Sequence, residues 1–218
     1  MSETFRCNAR AKTLGRYNTG KMEWQLPIQK VEIGNINIGS PWARLSHGEG
    51  AQKPMAPLSY FGTQFRLPFV SLVFPPLPVI EYNSATGKLV LDMFESSLAS
   101  IKLNTLQDTI VNAIAYHQAG WFKSEFSKDD IVRGFQPIIQ DNHLHLHCPS
   151  PSTSEHMRYI PIFKEGEWKK LSADDLKLGA RVRVAVKIHG ISFLNRNDGD
   201  KWSGKCRLQH RILGFIAT

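Results

Sequence analysis

The segment that most constrains the fold is RVRVAVKIHGISF at residues 181–193, in which Val182, Val184, Val186 and Ile188 take every second position. Side chains alternate across a strand with period two, so these four share one face. Arg181, Arg183, Lys187 and His189 then share the other face, with only Ala185 among them. A second segment, KCRLQHRIL at 205–213, repeats the pattern, with Cys206, Leu208, His210 and Ile212 on one side and Lys205, Arg207, Gln209 and Arg211 on the other. If the two strands pair with their apolar sides on one core, Arg181, Arg183, Lys187, Lys205, Arg207 and Arg211 form one basic surface. Neither segment contains an Asp or Glu.

Like charges facing each other across a sheet destabilise it by a few tenths of a kcal/mol per pair, so such a face is expected to serve an anionic ligand. The charge distribution agrees. The chain carries a formal net charge of +8, and residues 181–211 hold eight Lys/Arg against two Asp. Residues 1–30 add six bases against two acids, which leaves the middle of the chain slightly acidic. A phosphate backbone would neutralise the basic face and release counterions, and the six cations are assigned to phosphate contacts. The competing explanation is a solvated face whose basic residues guard a sheet edge against aggregation.

Unpaired bases are normally held by aromatic rings as well as by cations. Phe193, Trp202, Trp168 and the Tyr60/Phe61/Phe65 group lie close in sequence to Arg196, Lys201, Lys169, Lys170 and Arg66. Trp202, in the polar, Gly-containing run NRNDGDKWSG, has few apolar sequence neighbours and is the leading candidate for stacking, followed by Phe193 and Phe61. Trp121 and Phe122 close an amphipathic segment and are expected in the core.

The rest of the chain reads as short strands around one main helix. A β segment is expected near 26–38, and HGEGAQKPMAP at 47–57, with two Gly and two Pro, marks a flexible loop over 46–58 that could close over a ligand. Strand character returns from Tyr60 to Phe74, followed by a hairpin of Val79–Tyr82 and Lys88–Phe94. Asn104 with Gln107 three residues on has capping-box spacing, and Leu106, Ile110, Ala113, Ile114, His117 and Trp121 recur at helical steps. The prominent helix is therefore expected over about 105–119, ending at Gly120. Shorter helices are expected after Ser127 and after Ser172, and strands at 143–148 and 159–163.

His143, His145 and His147 share one strand face, with His156 a loop away. Residues two apart on a strand are spread by ~7 Å per step, which is poor geometry for one ion. No metal or other cofactor is expected; His143, His145 and His156 would be the ligands if zinc bound. No GxGxxG, Walker-type loop, GxSxG or HExxH motif occurs, and the chain reads as a binding protein rather than an enzyme. Cys7, Cys148 and Cys206 form no CxxC pair, and no apolar stretch approaches the ~20 residues of a membrane helix. An intracellular protein in a reducing compartment, with no membrane partner, is expected.

The carboxyl half, from near 98 to 213, resembles the single-stranded-DNA-binding proteins of large double-stranded DNA viruses and some phages. The residues that carry the resemblance are the Leu106–Phe122 helix ending in Trp-Phe, the GARVRVAVKIHGISF strand and the terminal WSGKCRLQHRIL. The resemblance implies an OB-type barrel, a groove-bound strand, aromatic stacking and little sequence preference. The resulting expectation is a single nucleic-acid-binding domain over 1–218, mainly β within a β-rich α+β class, with an OB-like barrel, one prominent helix and short extra helices. Its function would be to protect unwound single-stranded DNA in replication or recombination. RNA binding and a genome-associated structural β protein are the alternatives. Copies of itself and replication proteins are the further partners considered.

Overall fold

The computed structural model describes residues 25–43, 54–63, 65–123, 125–148, 160–195 and 202–218. Within these the chain begins with β1 (Leu26–Pro27), β2 (Ile36–Ile38) and β3 (Trp42–Ala43), with 3-10 turns at Ile28–Lys30 and Ile33–Asn35. It continues through β4 (Pro54–Phe61), β5 (Arg66–Leu67), β6 (Val70–Val73), β7 (Leu77–Asn83) and β8 (Lys88–Asp92). Two helices follow, α1 (Ser97–Phe122) and α2 (Lys128–Gly134), then β9 (Phe135–Gln136), β10 (Ile139–Gln140) and β11 (His143–His147). A hairpin of β12 (Pro161–Lys164) and β13 (Glu167–Lys170) precedes β14 (Arg181–Asn195) and β15 (Trp202–Ala217).

β14 and β15 are the axis of the fold. They pair antiparallel from Val182–Ala217 to Asn195–Trp202. On its other edge β14 meets β7, β6 and β4 in turn, while β15 pairs parallel with β9 and β12. The main path runs β10-β11-β8-β7-β14-β15-β12-β13. Its end strands β10 and β13 do not pair, so the β-rich α+β class holds while the sheet stays open rather than closing into the expected OB-like barrel.

The core packs against the central strands, and β6 and β8, with three consecutive buried residues each, are covered on both faces. Val182, Val184, Val186, Ile188, Ile191 and Phe193 of β14 are buried in this core with Leu103, Leu106, Ile110 and Ile114 of α1. The helix is longer than expected, starting after Ser96 and running past Gly120 to Lys123, whose φ of 51° ends it. Asn104 is an exposed residue inside the helix and not its cap. Gln107 has a tertiary task instead: its Oε1 accepts the N–H groups of Ile138 and Ile139 at 3.0 and 3.2 Å and ties α1 to β10. Gln118 does the same at the other end, donating to the Phe126 carbonyl at 2.7 Å and accepting the Phe126 N–H at 2.8 Å. α2 begins at Ser127 as expected, and the structure adds a capping box between Ser127 and Asp130.

The expected loop at 46–58 is corrected at its carboxyl end. Pro54, Met55, Ala56, Pro57 and Leu58 belong to β4, where Ala56 and Leu58 are buried; residues 46–53 lie outside the described set. Pro57 is compatible with a strand because β4 meets β14 over only three residue pairs before turning to pair with β2. The expected β segment at 26–38 is short strands and 3-10 turns.

Candidate nucleic-acid interface

Strand alternation places the cations. From Arg181 to Ile188 the even positions are buried and the odd ones face away from the core, and in β15 Cys206 and Leu208 are buried while Lys205 and Arg207 are exposed. The register sets Arg183 opposite Ile216, Lys187 opposite Arg211, Ser192 opposite Arg207 and Leu194 opposite Lys205, all on the side away from Val184 and Val186, where Ser192 and the Lys187 partner Ser71 are nonetheless buried. Directly opposed side chains lie ~5 Å apart at Cβ, so Lys187 and Arg211 form a like-charge pair in contact range. The stripe from the Leu194–Lys205 pair to the Arg183–Ile216 pair spans eleven steps of β14, about 35 Å at ~3.3 Å per residue.

The six cations are not equivalent. The Arg181 guanidinium bonds the Glu95 carboxylate at 2.9 Å, so its charge is already countered. The Lys187 ammonium stands 3.9 Å from the centre of the Phe69 ring, a cation–π arrangement that fixes its position. Arg183 has its Nε buried with no hydrogen-bond partner among the described residues, as does Ser71 Oγ, which pairs in register with Lys187. Lys205 and Arg207 extend into solvent. Arg183, Lys187, Lys205, Arg207 and Arg211 lie on the same side of the two strands as Arg181.

Two β-bulges shape that face. Between Ile188 and Gly190 the register slips at His189, and Gly190 has φ of 155°. A Cβ on Gly190 would lie 2.3 Å from the Ala56 carbonyl oxygen, so only glycine lets β4 approach here. The slip inverts the alternation. Phe193, which unbroken alternation sets beside Arg183, turns inward and is fully buried. The second bulge, at Leu213, keeps Arg211 on the outward face while Phe215 is buried.

The stacking assignments are corrected accordingly. Trp202 is only 2% exposed. Its ring packs on Phe122 at 4.9 Å, Phe126 at 5.2 Å and Phe193 at 5.6 Å, and its Nε1 donates to the Lys205 carbonyl at 2.8 Å. Trp202 and Phe193 therefore clamp the hairpin end from the core side and offer no face to a base. Phe61 remains exposed, with the Arg66 guanidinium 5.3 Å from its ring centre. A further exposed aromatic is Trp168, on the solvent-facing strand β13. Its only sequence cue is the setting Gly-Glu-Trp-Lys-Lys, an aromatic inside a short polar hairpin.

His143 and His145 alternate with the buried Leu144 and Leu146 as expected, and no cluster of three metal-binding side chains occurs among the described residues; His156 lies outside them. His210 faces inward opposite Ile188, where its Nε2 accepts the His147 N–H at 3.1 Å. Burial, then the nearby His147, pushes its pKa down to about 4, so the imidazole is neutral beside the cationic stripe. Cys148 and Cys206 are free and buried, and burial pushes both thiols up to about 12, which leaves them protonated and unreactive. No described helix is long and apolar enough to cross a membrane. Set beside known protein families, curated proteins and solved structures, the chain matches none of them.

Proposed function

We propose that this protein binds single-stranded DNA along the outward face of β14 and β15, with little sequence preference, and protects unwound DNA by binding alone. The observation that carries the reading is the register itself: Arg183, Lys187, Arg211, Arg207 and Lys205 share one sheet face on two strands that contain no acidic residue. A phosphate backbone is the polyanion that such a row of cations complements. Its ~35 Å length suits a short run of extended strand, within the ~4–16 nucleotides that compact single-strand binders cover. Exposed Phe61 beside Arg66, and Trp168 at the far edge, supply ring faces that an unpaired base can use and a stacked duplex cannot.

The test is binding of labelled single-stranded DNA, matching RNA and duplex DNA over a salt series. Single-stranded DNA should bind tightest, with an affinity that falls steeply with salt. Arg207→Ala should weaken binding and flatten the log–log salt slope by about 0.7, the increment of one lost phosphate contact on a single strand. Equal affinity for duplex, or no binding at low salt, would overturn the reading.

A further inference from the structure

The basic face does not end at β15. Arg183 pairs in register with Ile216, Ile216 with Phe163 of β12, and Phe163 with Trp168 of β13. Directly opposed residues point to the same side of a sheet, so these four side chains form one outward row across four strands, about 14 Å wide at ~4.8 Å per strand. Trp168 ends the row at 41% exposure, its ring 5.3 Å from that of Phe163 and tilted by 59°. Lys170, two residues along β13 and opposite Pro161, shares its side of the sheet.

Three features of this corner call for a ligand. An open depression lies here, lined by Gln25, Val73, Trp168, Arg183, Leu213 and Ile216. Arg183 borders it with a buried Nε that has no hydrogen-bond partner among the described residues. That nitrogen is itself closed to solvent, so what Arg183 offers a ligand at the rim is its positive charge, suited to a phosphate. Finally, a tryptophan is usually well buried, yet this one is left on a strand whose four residues are all exposed. Its aromatic face continues the cationic stripe where the stripe runs out.

We infer that this corner is a base-docking subsite: an unpaired nucleobase stacks on Trp168 while Arg183, with Lys170, takes the adjoining phosphate. The inference rests on the single-strand reading above and adds to it the place where base, as distinct from backbone, is held. It assigns stacking to Trp168, outward on the edge hairpin, in the role the buried Trp202 cannot fill.

The experiment is a binding cycle with an oligo(dT) of about 15 nucleotides and an abasic strand of equal length and charge, each against the native protein and Trp168→Leu. Trp168→Leu should weaken oligo(dT) binding by at least about fivefold with no change in salt slope, because stacking releases few ions. On the abasic strand the two proteins should bind alike, and Trp168→Phe should restore most of the affinity for oligo(dT). Native affinity of Trp168→Leu for oligo(dT) would overturn the subsite while leaving the basic-face reading intact. An equal loss on the abasic strand would overturn it too, since the ring would then be acting on the fold or the backbone. Absence of salt-dependent binding to either strand by the native protein would remove the single-strand reading and the subsite with it.

Discussion

Trp202 and Trp168 occupy similar stretches of sequence, Asp-Lys-Trp-Ser-Gly and Gly-Glu-Trp-Lys-Lys, and end in opposite environments. Trp202 opens β15 on the core side, wedged among Phe122, Phe126 and Phe193; Trp168 sits outward on the edge strand in contact with Phe163. Polar sequence neighbours are therefore no guide to a ring's exposure. What decides it is which face the strand register assigns and whether another layer covers that face. The inner face of the β14–β15 ribbon is covered by α1 and the segment that follows it, and the outer face carries charge.

The contrast between the two rings is open to direct test by substitution. Trp202→Ala removes the centre of a four-ring cluster and should lower unfolding free energy by about 3–5 kcal/mol in urea denaturation, the range for a large buried aromatic. Trp168→Ala should shift it by less than about 1 kcal/mol, because an exposed edge residue surrenders little buried area. Comparable losses for the two would show that the rings do not lie on opposite sides of the sheet.

The inner face also holds a group that acid should attack. His210 titrates near 4 in the folded protein, lowered chiefly by burial, against ~6.5 in an unfolded chain. As pH falls from about 6.5 to about 4 the unfolded chain takes up the proton first, so stability present above that window is lost through it, by roughly 3 kcal/mol in all. Protonation would also set an N–H against the His147 N–H that Nε2 now accepts. Denaturation at pH 7 and pH 4 measures the loss, and His210→Gln should shrink the difference. A pH dependence unchanged in His210→Gln would place the acid-sensitive group elsewhere.

Much of this was readable in the residues, and the failures have specific causes. The alternation in 181–188 and 205–212 located the two central strands and the outward cations, because a period-two pattern over eight residues has one physical reading. Carried back along β15 from Cys206, the same alternation points Trp202 inward; its polar neighbours were the misleading signal. Phe193 was misplaced for another reason, the bulge at His189, which inverts the pattern and is marked in the sequence only by Gly190. The start of α1 escaped because Ser96 caps it without a side-chain hydrogen bond, whereas Asn104 and Gln107 mimic a capping box in mid-helix. The Arg181–Glu95 pair joins residues 86 positions apart, a contact that no local pattern reports. The Arg183–Trp168 row is equally invisible, since it exists only through the parallel pairing of β12 with β15.

The smallest expected effect bears on the outer face, and its sign is informative. Arg207 is exposed, lies opposite Ser192, stands two residues from Lys205 on the same side, and is among the groups that depress His210. Arg207→Gln removes repulsion at that spot without opening a cavity, so unfolding free energy should stay within about 0.5 kcal/mol of the native value, and the shift should be upward. Nucleic-acid affinity should fall in the same variant. A residue kept for stability loses both quantities on replacement; a residue kept for a ligand trades one against the other. A clear loss of stability in Arg207→Gln would mean that the stripe is braced by contacts within the protein, and the like-charge argument for an anionic partner would lose its footing at that position.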